Sequence, residues 1–145
     1  MHYTRDGQGP PLVFAHGTAA DGEQWAAPAA ALAGGHTVIC TDLSGSGRTT
    51  DAGEALTVDA LAGQVIAVIA AADATGALVI GHSMGAVVAA TVAALPHARQ
   101  ARVLAGHGAP AEAMPELLGQ IVAFADAVPA VVSSGSGKCR AVLDA

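Results

Sequence analysis

LVIGHSMGAVVAATVAA, residues 78–94, joins a short apolar run to an Ala-rich one through the core Gly81-His82-Ser83-Met84-Gly85. The run ALVIGHS, Ala77 to Ser83, is short, partly β-branched and bounded by Gly76, so it predicts a buried strand; MGAVVAATVAAL predicts a helix that begins at once. A serine at the apex of such a turn must take a strained backbone position, and side chains at Gly81 or Gly85 would crowd it. The turn lifts the Ser83 hydroxyl above the sheet. It also leaves the N–H of Met84 at a helix N-terminus, where a developing oxyanion meets a donor. Ser83 is therefore the candidate nucleophile. G-x-S-x-G by itself is a weak pattern in a chain with 18 glycines, and a tight βα turn without chemistry is the alternative; the strand–turn–helix context adds specificity and favours the nucleophile. Asp, Glu, Lys and Arg are absent between Asp73 and Arg99, a span long enough to raise a transmembrane helix. Gly76, Gly81 and Gly85, with His82 and Ser83 in the middle, favour the strand, turn and helix instead.

The flanking sequence repeats this alternation. PPLVFAHG (Pro10–Gly17) and HTVICTD (His36–Asp42) predict buried strands, and ARVLAG (Ala101–Gly106) a further short one. WAAPAAALAGG (Trp25–Gly35) predicts a helix closed by a glycine pair, with Pro28 in its first turn. TVDALAGQVIAVIAAAD predicts a helix capped by Thr57, with Asp59 in the first turn and Val58, Leu61, Val65 and Ile69 on one face. Strands that are apolar throughout, alternating with helices, indicate an α/β fold: three layers, with a parallel sheet covered on both faces. Right-handed crossovers then bring His16, Gly17, Asp42, Ser83, Gly106 and His107 to one edge of the sheet. Residues 1–106 form the expected core. Residues 107–145 are a weakly patterned tail, with a helix around EAMPELLGQIVAFADAV interrupted near Pro115, the expected start of a cap or lid, followed by the linker-like SSGSGK.

A second motif, His16-Gly17-Thr18, ends the first buried strand. An oxyanion site usually has two donors, and the N–H of Thr18 is placed to oppose that of Met84. His16 has two readings, a base or a loop-shaping hydrogen-bonding residue, and a strand-end position favours the second.

Three stretches together resemble the α/β-hydrolase family. GQGPPLVFAHG resembles the strand leading into that family's oxyanion loop. TDLSGSGRTT resembles its D-x-x-G-x-G-x-S loop, with Thr49 at the serine position, and GHSMGA resembles its nucleophile elbow. The likeness runs from Tyr3 to Gly106. It implies Ser83 as nucleophile, the N–H groups of Thr18 and Met84 as the oxyanion hole, and His16, Gly17, Gly81 and Gly85 as residues that shape the loop and the elbow. Asp42 matches a loop-structuring position. The implied activity is that of a serine hydrolase acting on an ester, thioester, lactone or similar acyl bond through an acyl-serine; a serine elbow argues against dehalogenase or epoxide hydrolase chemistry.

Family members run to nearly twice this length, so the chain is expected to be a truncated form, and the triad acid and histidine are not identifiable. After Ser83 the histidines are His97 and His107 and the carboxylates Glu112, Glu116, Asp126 and Asp144. His97 falls at the far end of its helix, and His82 reads as packed in the fold. His107 follows the neighbouring strand and is the candidate base, at the cost of a rearranged triad order. The alternative is a catalytically incomplete fragment or pseudo-enzyme serving as a binding module.

A net charge of −6 and a pI near 5.3 leave no basic patch for nucleic acid or an anionic membrane. The expected partner is a small-molecule acyl substrate, with self-association through an exposed sheet edge as a further expectation. No cofactor and no metal are expected. Cys40 and Cys139 do not make a disulfide framework, and MHYTRDGQGPP lacks a signal-peptide pattern, so a cytoplasmic location is the default.

Overall fold

The computed structural model describes residues 1–50, 56–95, 102–106, 118–123 and 141–143. In chain order come strands β1 (Tyr3–Asp6) and β2 (Pro11–Ala15), a 3-10 turn (Gly22–Trp25), helix α1 (Ala26–Leu32), β3 (Thr37–Thr41), α2 (Val58–Ala71), β4 (Leu78–His82), α3 (Met84–Ala94), β5 (Arg102–Gly106), helical residues 118–123, and β6 (Ala141–Leu143). The strands form one sheet in the order β1-β3-β2-β4-β5-β6. β1 is antiparallel to β3, and every other pairing is parallel.

Side chains alternate across this sheet, and that alternation builds two cores. Leu12, Phe14, Val38, Leu78 and Ile80 point to the side covered by Trp25, by α1 through Ala29 and Leu32, and by Ile121. Val13, Ile39 and Val79 point to the opposite side, against Leu61, Val65 and Val68 of α2 and Val88, Ala89 and Val92 of α3. A parallel strand buried on both faces has no polar side, which is why each of these strands reads as an unbroken apolar run. Phe14 and Trp25, 4.9 Å apart between ring centroids, supply the aromatic contact of the α1 side.

The Thr57 hydroxyl accepts the N–H of Ala60 at 3.1 Å and so caps α2. The first helical segment starts earlier than its sequence suggested. The Asp21 carboxylate accepts the N–H of Glu23 at 3.0 Å, and a 3-10 turn precedes Trp25. β6 was not anticipated: three apolar residues between Arg140 and Asp144 carry no periodicity to read. The long uncharged run divides into β4 and α3. Among the described residues, no helix is long and apolar enough to cross a membrane.

Candidate active site

β4 passes into α3 through a single residue, Ser83, at φ 53° and ψ −118°. An L-residue reaches that region only under constraint, and the constraint is visible in the two flanking glycines. A Cβ on Gly81 would overlap the backbone of Gly85, and a Cβ on Gly85 would overlap the carbonyl oxygens of Ala15 and His16. The first turn of α3 is therefore laid directly over the end of β2. That contact brings the loop after β2 beside the elbow, so that a Cβ on Gly17 would stand 3.4 Å from the Cβ of Ser83. Ser83 and Met84 are half-buried. The N–H of Met84, the first residue of α3, has no intrahelical acceptor and lies at the positive end of the helix dipole, while Ala86 donates to the Ser83 carbonyl at 2.9 Å.

His16 is fully buried at the end of β2. Its Nε2 accepts the N–H of Leu43 at 3.0 Å, so the ring proton is assigned to Nδ1, which donates to the Gly17 carbonyl at 2.8 Å. Both ring nitrogens thus hold backbone. The Gly17 carbonyl and the Thr18 N–H belong to one trans planar peptide and point in opposite directions, so holding the carbonyl aims the N–H. Thr18 is exposed, and Ala19 follows it at φ 57°.

Two residues that the sequence did not single out as site residues tie these loops together. Gln24 accepts the Gly17 N–H through Oε1 at 3.2 Å and donates from Nε2 to His82 Nδ1 at 3.1 Å. Asp42, read from sequence as a loop residue, is buried and joins three segments. Its Oδ1 accepts the Gly22 N–H at 2.8 Å; its Oδ2 accepts the Arg48 N–H at 2.9 Å and lies 3.1 Å from His2 Nδ1. Burial alone would raise the Asp42 carboxyl, but the Arg48 and Gly22 N–H groups and His2 outweigh it and hold it below the usual carboxylate value. A cavity of about 630 Å³ beside α1 and the β1–β3 edge is lined by Asp6, Asp21, Cys40, Asp42 and Arg48, among others. Ser83 does not line it, so its volume says nothing about the elbow.

β5 ends at Gly106, opposite His82 in the sheet register. The predicted base His107, together with His97, Glu112, Glu116, Asp126 and Asp144, lies outside the described residues. Among the described residues, no group of three His, Cys, Asp or Glu side chains is arranged to hold a metal.

Residues 10–131 match the family model described as alpha/beta hydrolase fold. The pyrrolizixenacetamide deacetylase of Xenorhabdus hominickii is 43% identical over 108 residues, which are 73% of this chain and 41% of the deacetylase. The chain thus spans less than half the length of that relative. Among solved structures, E-2-(acetamidomethylene)succinate hydrolase superposes with a TM-score of 0.68 at 25% identity, over 83% of this chain and 46% of that one. Est816, an N-acyl homoserine lactone degrading enzyme, superposes with a TM-score of 0.66 at 26% identity, over 86% and 51%.

Proposed function

We propose that this chain, which belongs to the alpha/beta hydrolase fold family, carries the nucleophile and the oxyanion-binding groups of a serine hydrolase that cleaves an acyl bond. The observation that carries the reading is the backbone of Ser83, held at φ 53° and ψ −118° between β4 and α3. Strain of this kind persists where the surrounding structure fixes it and clusters at functional positions. In the proposed reaction, Ser83 Oγ attacks the substrate carbonyl and its proton passes to a general base. The oxygen that becomes negative is met by the N–H groups of Thr18 and Met84, and the leaving group departs as the acyl-serine forms. Water then hydrolyses the acyl-serine and restores the hydroxyl. His16, Gly17, Gly81 and Gly85 shape the loop and the elbow, and His107 is the candidate base.

The substrate class is an ester, thioester, lactone or amide of a small acyl group. The names of the deacetylase and of the lactone-degrading enzyme favour acyl chemistry of this range. A fluorophosphonate probe tests the proposal. It labels the folded chain, Ser83→Ala abolishes labelling, and His107→Ala reduces it toward the Ser83→Ala level. Folded protein that takes up no probe argues for a binding module in place of an enzyme. Full labelling of the His107 variant assigns the base elsewhere.

A further inference from the structure

The Cα register of β2 with β4 ends at the pair Ala15 and Gly81, ahead of the loop that follows β2 and the turn that follows β4. Past that pair, side-chain hydrogen bonds join the packing of Gly85 on Ala15 and His16 in linking the two segments. We infer that Gln24 is a positioning residue: it sets the distance between the Thr18 and Met84 N–H groups by bridging the Gly17 peptide to the residue before Ser83. The inference rests on the reading of Ser83 as nucleophile.

The geometry is a short chain of contacts. His16 holds the carbonyl of Gly17 from one side, and Gln24 Oε1 holds the N–H of Gly17 from the other, at 2.8 and 3.2 Å. These bonds fix the two peptide planes that meet at Gly17, a residue with no side chain to restrict its own torsions. The far end of the same amide, Gln24 Nε2, reaches His82 Nδ1 at 3.1 Å, and His82 is covalently next to Ser83. A single planar group therefore touches both walls of the site.

An amide meets both demands of this place. The Gly17 N–H needs an acceptor, and an unprotonated ring nitrogen needs a donor; glutamine presents one of each at fixed separation. The same bond assigns the ring proton of His82 to Nε2. A glutamate at position 24 presents acceptors alone. It keeps the Gly17 bond and requires His82 to place its proton on Nδ1. A leucine keeps neither bond.

Three forms of the full chain test this: wild type, Gln24→Glu and Gln24→Leu. Nitrogen-15 NMR of the His82 ring reads the bridge without any turnover. The expected pattern is an accepting Nδ1 in wild type, an Nδ1–H in Gln24→Glu, and an Nδ1 resonance displaced by the loss of its hydrogen bond in Gln24→Leu, with the Gly17 amide resonance displaced only in the last. The fluorophosphonate reaction reads the consequence. A donor misplaced by about 1 Å costs up to roughly a hundredfold, so the maximal labelling rate of Gln24→Leu falls by between about tenfold and a hundredfold. The probe concentration for half-maximal rate changes less than about twofold, and Gln24→Glu recovers most of the loss. A His82 Nδ1 resonance unaltered by Gln24→Leu overturns the inference, as does a labelling rate within twofold of wild type. Wild-type protein that takes up no probe refutes the Ser83 reading instead, and the NMR comparison of the same samples still decides whether Gln24 forms the bridge.

Discussion

Ser83→Ala and Ser83→Gly remove the same hydroxyl and differ only by a Cβ, so comparing them isolates the backbone constraint at the elbow. At an ordinary position the glycine variant would be the weaker one by roughly 0.5–1 kcal/mol, from its greater freedom in the unfolded chain. At φ 53° and ψ −118° an L-side chain carries strain of roughly 1–3 kcal/mol that glycine does not. The second effect is the larger, so Ser83→Gly is expected to exceed Ser83→Ala in stability by about 0.5–2 kcal/mol, reversing the usual order. Urea unfolding followed by fluorescence measures the difference, because Trp25 is the single tryptophan and is buried against Phe14. Thermal midpoints should separate by about 2–4 °C for each kcal/mol in a chain of this size. Equal midpoints with matched urea slopes, or an alanine variant more stable than the glycine one, would refute the claim that the fold strains Ser83.

Two other glycines should respond to alanine with opposite signs. Gly85→Ala drives a methyl into the Ala15 and His16 carbonyl oxygens and is expected to cost about 3 kcal/mol, whereas Gly63, in α2 with open space around it, should gain about 0.5–1 kcal/mol by the same change. Urea midpoints of both variants decide this, and a tolerated Gly85→Ala would mean that α3 does not sit on the end of β2. Asp42, with its carboxyl held below the usual 3.8, contributes stability that is present above that pH and is lost as the pH falls through its lower folded value. Asp42→Asn should therefore flatten the acid limb of a stability-versus-pH curve, and an unchanged limb would contradict the network. Burial pushes the Cys40 thiol up to about 11. Iodoacetamide at neutral pH should leave Cys40 unmodified in the folded chain and alkylate it in urea, as read by peptide mass mapping; equal rates would contradict the packing of β3.

Most of the architecture was legible because the same physics acts locally and globally in a parallel sheet. β2, β3 and β4 are buried on both faces, so their burial shows in sequence as runs such as LVFA and VIC without any knowledge of neighbours. The tight turn between β4 and α3 was legible for a similar reason. Its sterics are set within five residues, and the demand for small groups at 81 and 85 is written at those positions. β6 has no such local signal, since a three-residue strand exists only because β5 offers it a ladder. Gln24 was hidden for a different reason. Its partners lie 7 and 58 residues away, and nothing in DGEQ distinguishes a bridging amide from a solvated one until α3 has been placed against β2. The His16 contact with Leu43, 27 residues on, was likewise beyond local pattern, although the strand-end position favoured a shaping role over a base.

The adjacency of β2 and β4 works as a calliper. Neighbouring strands of any sheet run roughly 4.7–4.9 Å apart, a spacing set by the backbone hydrogen bonds of the ladder and not by any side chain. Two N–H donors that each approach one oxygen at about 2.7–3.1 Å, from directions near the tetrahedral angle, stand apart by nearly the same length. Thr18 and Met84 follow the ends of two such strands, so the sheet brings the two proposed donors into the range that the Gln24 bridge then sets. Replacements in the surrounding loops that spare Gln24 can then change what reaches Ser83 while leaving that spacing untouched.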